Sequence, residues 1–122
     1  MTITTTTRDV DGVTIVDIKG RIVLGEEGAA LRELVAALVG KGQRKILFNF
    51  VGVYYIDSSG LGILVSSLVR VRVYDGELKL LNLTKRVRET MQVTKLNTVF
   101  EIMDDEAVAV NSFRQSAGEL DD

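Results

Sequence analysis

The sequence contains 122 residues, which is the size of one ordinary domain, and its net charge is −2 at pH 7. It has no histidine and no cysteine, so it can form no Ser-His-Asp triad, no Cys-His dyad, no disulfide and no zinc site built on imidazole or thiolate. The charge balance does not favour nucleic-acid binding. No run of about 18 apolar residues predicts a transmembrane helix, and the threonine-rich start does not resemble a signal peptide. We therefore expect a cytoplasmic protein that does not insert into a membrane, and we expect no metal or cofactor.

The first part of the chain predicts a β-hairpin. Residues 2–8 are rich in β-branched threonine, which favours a strand. Residues 9–12 end in an Asp-Gly pair, which is typical of a turn. Residues 13–18 alternate in the manner of a second strand, and we expect that strand to end at Gly20.

A helix and a buried strand follow the hairpin. Between residues 26 and 39 the apolar residues recur at the spacing of one helix face; they are Leu31, Leu34, Val35 and Leu38. Residues 45–51 form a nearly continuous apolar run, which is typical of a central strand covered on both faces.

The second half of the chain continues the alternation of helices and strands. Its predicted elements are a helix from the Ser58 region to about Tyr74, a strand over 78–83, a helix capped by Thr84 that ends near Thr94, an edge strand over 96–100, and a last helix capped by Asp104 that buries Val108, Val110 and Phe113. The order β-β-α-β-α-β-α-β-α predicts one α/β domain with crossover connections. The polar and acidic segment 116–122 is expected to fray.

The densest local signal is the run Asp57-Ser58-Ser59-Gly60-Leu61-Gly62 between a predicted strand and a predicted helix. A serine at the helix N-cap would satisfy free backbone amides, but this does not account for two serines and two glycines together. Ligands and partners of open α/β sheets meet the loops at the carboxyl ends of the strands. A capping role and a functional role therefore both remain open. We expect one of Tyr54 and Tyr55 to pack in the core and the other to anchor an interface.

The residues of this run do not support a catalytic serine or a nucleotide-binding loop. A nucleophilic serine needs a base, and the sequence supplies no histidine and no lysine near the serines. A dinucleotide-binding loop fails because Val65 stands where the third glycine is expected, and no Gly-Lys-Ser/Thr sequence of a P-loop occurs. The remaining possibility is that one of the serines receives a phosphate. A phosphoserine carries about −1.5 to −2 charges at pH 7, and a helix N-terminus tolerates that charge.

Four segments of the chain match a known family: the strand 46–50, the motif 56–62, the strand 78–82 and the pair Val87-Arg88. On these residues the chain resembles STAS domains, and among them the stand-alone bacterial anti-sigma factor antagonists. The likeness extends over residues 10–113. It implies a single STAS-like domain over residues 1–122, with a mixed β-sheet of four to five strands and about four helices.

The resemblance implies a role in partner switching, not catalysis. Such a protein binds an anti-sigma factor that is a serine kinase, and so frees the sigma factor. The kinase phosphorylates the first serine of the motif, here Ser58 with Ser59 as the second candidate, and a phosphatase resets the protein. The implied partner surface comprises Asp57, Ser58, Ser59, Gly60, Leu61, Gly62, Arg21 and Tyr55.

One segment departs from the family pattern. Many members carry an acidic Gly-Glu-Leu-Asp-like turn after the second strand, where this chain has Gly20-Arg21-Ile22-Val23. Arg21 reverses a charge and Val23 replaces an acid, so the departure bears on which partner is bound.

Two alternatives to the phosphorylation switch stay open at this point. A non-phosphorylated STAS scaffold, or a subunit docked to a transporter or signalling assembly, would share the fold and the surface. A serine hydrolase would need a base that the sequence does not visibly supply.

Overall fold

Alternation of apolar strands with amphipathic helices produces the predicted α/β fold. The computed structural model describes residues 3–120, and the side chains of residues 26–27 and 114–120 lie outside that description. The order β-β-α-β-α-β-α-β-α is confirmed over the described residues. In chain order the elements are β1 (Thr4–Val10), β2 (Val13–Ile22), α1 (Glu26–Gly40), β3 (Lys45–Ile56), α2 (Ser58–Val73), β4 (Glu77–Leu81), α3 (Lys85–Val93), a short 3-10 helix (Leu96–Thr98), β5 (Ile102–Met103) and α4 (Glu106–Leu120).

The five strands form one mixed sheet in the order β1-β2-β3-β4-β5. The hairpin pair β1–β2 is antiparallel, and the remaining pairs are parallel. Each parallel pair requires a crossover connection, and α1, α2 and α3 lie in these connections. The carboxyl ends of β2 and β3 therefore lie side by side, and α2 begins directly after β3.

The two faces of the sheet carry different cores. Most apolar side chains pack between the sheet and the helices α1, α2 and α3, which we call the three-helix face. A smaller cluster packs beneath α4 on the opposite face, which we call the α4 face; it comprises Val13, Ile15, Leu47, Leu81, Ala109, Val110 and Phe113. Val16 and Ile18 belong to the first cluster, so the alternation predicted for β2 is confirmed.

Charged side chains hold α4 against the sheet. The Arg8 guanidinium bridges Asp17 on β2 at 2.7 Å and Glu106 on α4 at 2.6 Å. The buried Lys79 ammonium lies 3.0 Å from the Glu101 carboxylate and also donates to the Ser112 hydroxyl at 2.9 Å. Because a buried charge is costly unless it is paired and hydrogen-bonded, these contacts make the charged groups compatible with the partly buried face beneath α4.

Three strands end elsewhere than the sequence predicts. β2 does not end at Gly20. This residue adopts a φ of 114° at a shift in register, and pairing with β3 continues to Ile22, so residues 20–22 of the predicted turn belong to the strand. β3 runs beyond residue 51 to Ile56. β4 stops at Leu81, since Asn82 has a left-handed φ of 58° that ends the extended backbone.

The end of the described chain also differs from the prediction. Residues 96–98 form a 3-10 helix, and the edge strand follows at Ile102–Met103. Asp105, not Asp104, accepts from the Val108 amide at the start of α4. Asp104 instead forms an ion pair with Arg88.

The last helix buries fewer of the predicted side chains than expected. Val110 and Phe113 are buried, whereas Val108 is 58% exposed and its burial was predicted wrongly. The segment expected to fray is helical as far as Leu120, and Asp121 and Asp122 lie outside the described residues. Among the described residues, no helix combines the length and apolar character needed to cross a membrane.

Candidate functional site

The serine motif lies where the last residues of β2 and β3 meet the start of α2. Ile22 and Ile56 pair at the ends of these strands. The carbonyl oxygen of Ile22 accepts a hydrogen bond from the Asp57 amide at 3.3 Å. The first turn of α2 is therefore fixed to the carboxyl edge of the sheet, which is where α/β proteins meet their ligands and partners.

Asp57 organises this junction as the N-cap of α2. Its backbone is extended, and one carboxylate oxygen accepts from the Gly60 amide at 2.7 Å. The other oxygen accepts from the Leu24 amide at 3.3 Å, so the same side chain ties the loop after β2 to the helix start. Of the two roles left open for the serines, the capping role falls to Asp57, because this carboxylate one residue earlier reaches both amides.

The two serines are consequently the first residues of the helix. Ser58 is exposed and Ser59 is half-buried. Within the described part of the chain, no hydrogen bond occupies the backbone amides of Ser58 or Ser59. Free amides at the positive end of a helix dipole attract negative charge, so this turn can accommodate an anion at either serine.

The two glycines of the motif have different surroundings. Gly60 is buried, and a Cβ atom at this position would overlap the Ile22 carbonyl oxygen and the Ile56 side chain. Gly62 is exposed, and a Cβ atom there would meet no heavy atom within 4 Å. Gly60 thus allows helix and strand to approach each other, while Gly62 leaves the outer side of the first turn bare.

The residues implied as partner-binding fall into exposed and buried groups. Ser58 and Gly62 are exposed, whereas Gly60 and Leu61 are buried and can shape the surface only through their neighbours. Leu24 is 77% exposed beside the motif. Sequence reasoning missed Leu24 because a single leucine in a loop belongs to no periodic pattern.

Arg21 and Tyr55 are neighbours across β2 and β3, as their Cα register shows. Tyr54 is 47% and Tyr55 36% exposed, so the expectation that one of them packs in the core was wrong. β3 continues to Ile56, past residue 51 where the predicted strand ends. Both tyrosines lie in this extension, outside the part of the strand that is buried in the sheet. The Arg86 guanidinium carbon lies 5.4 Å from the centroid of the Tyr55 ring.

A groove of about 830 Å³ runs between α1 and α2 and reaches the motif at Ser59. Its walls include exposed apolar side chains and two arginines, Arg32 and Arg70. Among the described residues, no group of histidine, cysteine or acidic side chains could hold a metal ion.

The chain resembles known proteins over nearly all of its described length. The family model of the STAS domain matches residues 4–109. A protein of Bordetella bronchiseptica, named anti-sigma factor antagonist BtrV, is 28% identical over 105 residues, which are 86% of this chain and 90% of that protein.

Solved structures share the fold. The crystal structure of an anti-sigma factor antagonist from Thermotoga maritima has a TM-score of 0.83 at 24% identity and covers 90% of this chain and 94% of its own. The structure of the Bacillus cell fate determinant SpoIIAA in its phosphorylated form has a TM-score of 0.69 at 19% identity, covering 89% of this chain and 98% of its own. At these identities the two structures show the same fold.

Proposed function

The chain belongs to the STAS domain family, and on that premise we propose that it is an anti-sigma factor antagonist that works by partner switching. In its unphosphorylated form it binds an anti-sigma factor that is a serine kinase, and the sigma factor is released. The kinase transfers the γ-phosphoryl group of ATP to the Ser58 hydroxyl oxygen, ADP leaves, and the hydroxyl proton is lost. The complex then separates, and a phosphatase hydrolyses the phosphoserine to reset the protein.

Two of the similar proteins support this proposal. The Bordetella relative is named an anti-sigma factor antagonist and aligns with most of the chain. SpoIIAA, which has the same fold, exists in a phosphorylated form. Together they favour antagonism of an anti-sigma factor and control by a phosphate.

The position of Ser58 carries the assignment of the phosphate. Its side chain is exposed at the first residue of α2, directly after the capping carboxylate. The free amides of Ser58 and Ser59 and the helix dipole tolerate added negative charge at this place. Both carboxylate oxygens of Asp57 accept from backbone amides, and among the described residues neither accepts a hydrogen bond from the Ser58 hydroxyl. The hydroxyl is therefore better suited to receive a phosphate from another protein than to act as a nucleophile itself.

The same position accounts for the release of the partner. A protein docked on this turn would cover Ser58 together with exposed Leu24. Phosphorylation adds about −1.5 to −2 charges at pH 7, and burying that charge against an apolar contact is costly. The phosphate thus opposes the complex while leaving the fold of the antagonist intact.

The test combines phosphorylation with binding. We expect incubation with ATP and the anti-sigma kinases encoded in the source genome to add one phosphate at Ser58, as mapped by mass spectrometry. Ser58→Ala should bind the same kinase with or without ATP, and Ser58→Asp should bind at least tenfold more weakly. Asn111→Asp is the matched control, because it adds the same charge at an exposed site on α4.

Two results would contradict the proposal. If every kinase leaves Ser58 unmodified, the chain does not switch by phosphorylation and the scaffold alternative is favoured. If Ser58→Asp binds as tightly as the wild type, added charge at the helix start does not break the complex.

A further inference from the structure

Part of the α4 face of the sheet carries large exposed side chains. Successive side chains of a strand point to opposite faces. Ile22 and Ile56 are buried on the three-helix face, so their neighbours Arg21 and Tyr55 lie on the α4 face. Among the described side chains, the cluster beneath α4 contacts the sheet at the other ends of these strands. Val51 is accordingly 65% exposed. The pairing of β3 with β2 shifts register at Tyr54, which is the extra residue of a β-bulge beside Tyr55, and the rings of both tyrosines are exposed.

Cations border this area without a carboxylate partner. On the same face Arg8 and Lys79 form ion pairs, and Arg88 on α3 is paired with Asp104. Within the described part of the chain, Arg21 and Arg86 form none, although the Arg86 guanidinium lies over the Tyr55 ring.

Arg21 also leaves one hydrogen bond unmade. Its Nε atom is buried and has no hydrogen-bond partner among the described residues. A buried donor without an acceptor is costly, and hydrogen bonds to charged groups are among the stronger ones. The Arg21 side chain therefore gains if it turns outward to a carboxylate that this chain does not itself provide.

We propose that the surface formed by Arg21, Val51, Tyr54, Tyr55 and Arg86, here the Tyr55 surface, docks an acidic segment of the anti-sigma factor. Carboxylates of that segment pair with the two guanidinium groups, and an apolar side chain between them packs on the Tyr55 ring. Aromatic residues and arginine together are typical of the residues that dominate binding energy at interfaces. This inference rests on the proposed function and adds the chemistry of the partner.

The Tyr55 surface is continuous with the switch. Tyr55 precedes Ser58 by three residues, and Arg21 adjoins Ile22, whose carbonyl accepts from Asp57. A phosphate on Ser58 would thus place negative charge beside a partner segment that is itself negative. Like charges brought together at an interface disfavour the complex. If the docked segment is acidic, the phosphate on Ser58 repels it and weakens binding, as release of the partner requires.

The test measures the dissociation constant for the kinase that phosphorylates Ser58, by isothermal titration calorimetry. Arg21→Glu and Arg86→Glu should each weaken binding by about tenfold to a hundredfold. The loss should shrink between about 0.05 M and 0.5 M salt, because salt screens charge pairs. Lys41→Glu is the control, since it makes the same charge change at an exposed site at the opposite end of the sheet.

Arg86→Glu keeps the test independent of folding. Arg86 is the second residue of α3, where a carboxylate interacts favourably with the helix dipole. This gain offsets the lost contact of the guanidinium with the Tyr55 ring, so the variant should be about as stable as the wild type. If the kinase binds and phosphorylates Ser58 while both reversals leave the dissociation constant within twofold, the docking proposal is wrong and the proposed function stands. If no anti-sigma kinase of the source genome binds the wild type, both proposals are overturned.

Discussion

Gly60 packs directly on the carbonyl group of Ile22, with no room between them for a side chain. This contact joins the first turn of α2 to the last residue of β2. The amide of Gly60 meanwhile donates to the Asp57 carboxylate at 2.7 Å. One residue without a side chain thus permits both the close approach and the cap that position Ser58.

The two glycines of the motif should respond oppositely to alanine. Gly60→Ala forces a methyl group into the Ile22 carbonyl, and we expect it to lower the free energy of unfolding by about 2 kcal/mol or more. Gly62→Ala meets open space within a helix and should raise that free energy by about 0.5–1 kcal/mol. Urea denaturation of the two variants gives both values. Equal effects of the two substitutions would show that helix propensity, and not the contact with Ile22, governs Gly60.

The sequence predicts the elements of this fold better than their ends. The apolar periodicity of α1 and the continuous run that begins β3 are signals within one segment, and both are confirmed. The extension of β3 to Ile56 depends on pairing with β2, which a single segment does not reveal. The cap divides in the same way. Asp57 is a strong N-cap residue by its type and lies three residues before the amide that it caps, so its role in α2 is a local signal. Its contact with the Leu24 amide, 33 positions away in sequence, is not.

Asp57 should control the loop before α1 as well as the helix after it. In Asp57→Asn one side-chain oxygen can still accept from Gly60, but the amide nitrogen cannot accept from Leu24. We expect faster hydrogen exchange at the Leu24 amide with little change at the Gly60 amide. Asp57→Ala should expose both amides and cost about 1 kcal/mol of stability. Thr84→Ala, which removes the cap of α3, is the control that should leave Leu24 unaffected.

The Arg8 bridge makes part of the stability depend on pH. Hydrogen bonds from Arg8 hold the pKa of Asp17 below its ordinary value of 3.8 and that of Glu106 below 4.5. A lowered pKa means that the stabilisation is complete above the ordinary values and is lost as pH falls through the folded-state values. Because these side chains are partly exposed, each contribution should stay below about 1 kcal/mol.

Arg8→Met tests this pH dependence directly. The wild type should lose stability more steeply than the variant as pH falls below about 4.5, as thermal unfolding at a series of pH values would show. Arg72→Met removes an exposed arginine from α2 and should leave the profile unchanged. Parallel profiles for wild type and Arg8→Met would mean that the bridge to Asp17 and Glu106 does not act in solution.

Charge at Ser58 should separate stability from binding. A carboxylate in the first turn of α2 interacts favourably with the helix dipole, which is worth about 0.3–1 kcal/mol of unfolding free energy. Ser58→Asp should therefore leave the melting temperature unchanged or raise it. Ser66→Asp places the same charge in the middle of that helix and also removes the hydroxyl that donates to the Ile63 carbonyl. It should therefore gain nothing from the dipole. Thermal unfolding compares the two variants, and their binding to the kinase is measured in parallel. A Ser58→Asp variant that loses binding only because it unfolds would show a lowered melting temperature, and that result would remove the electrostatic account of the switch.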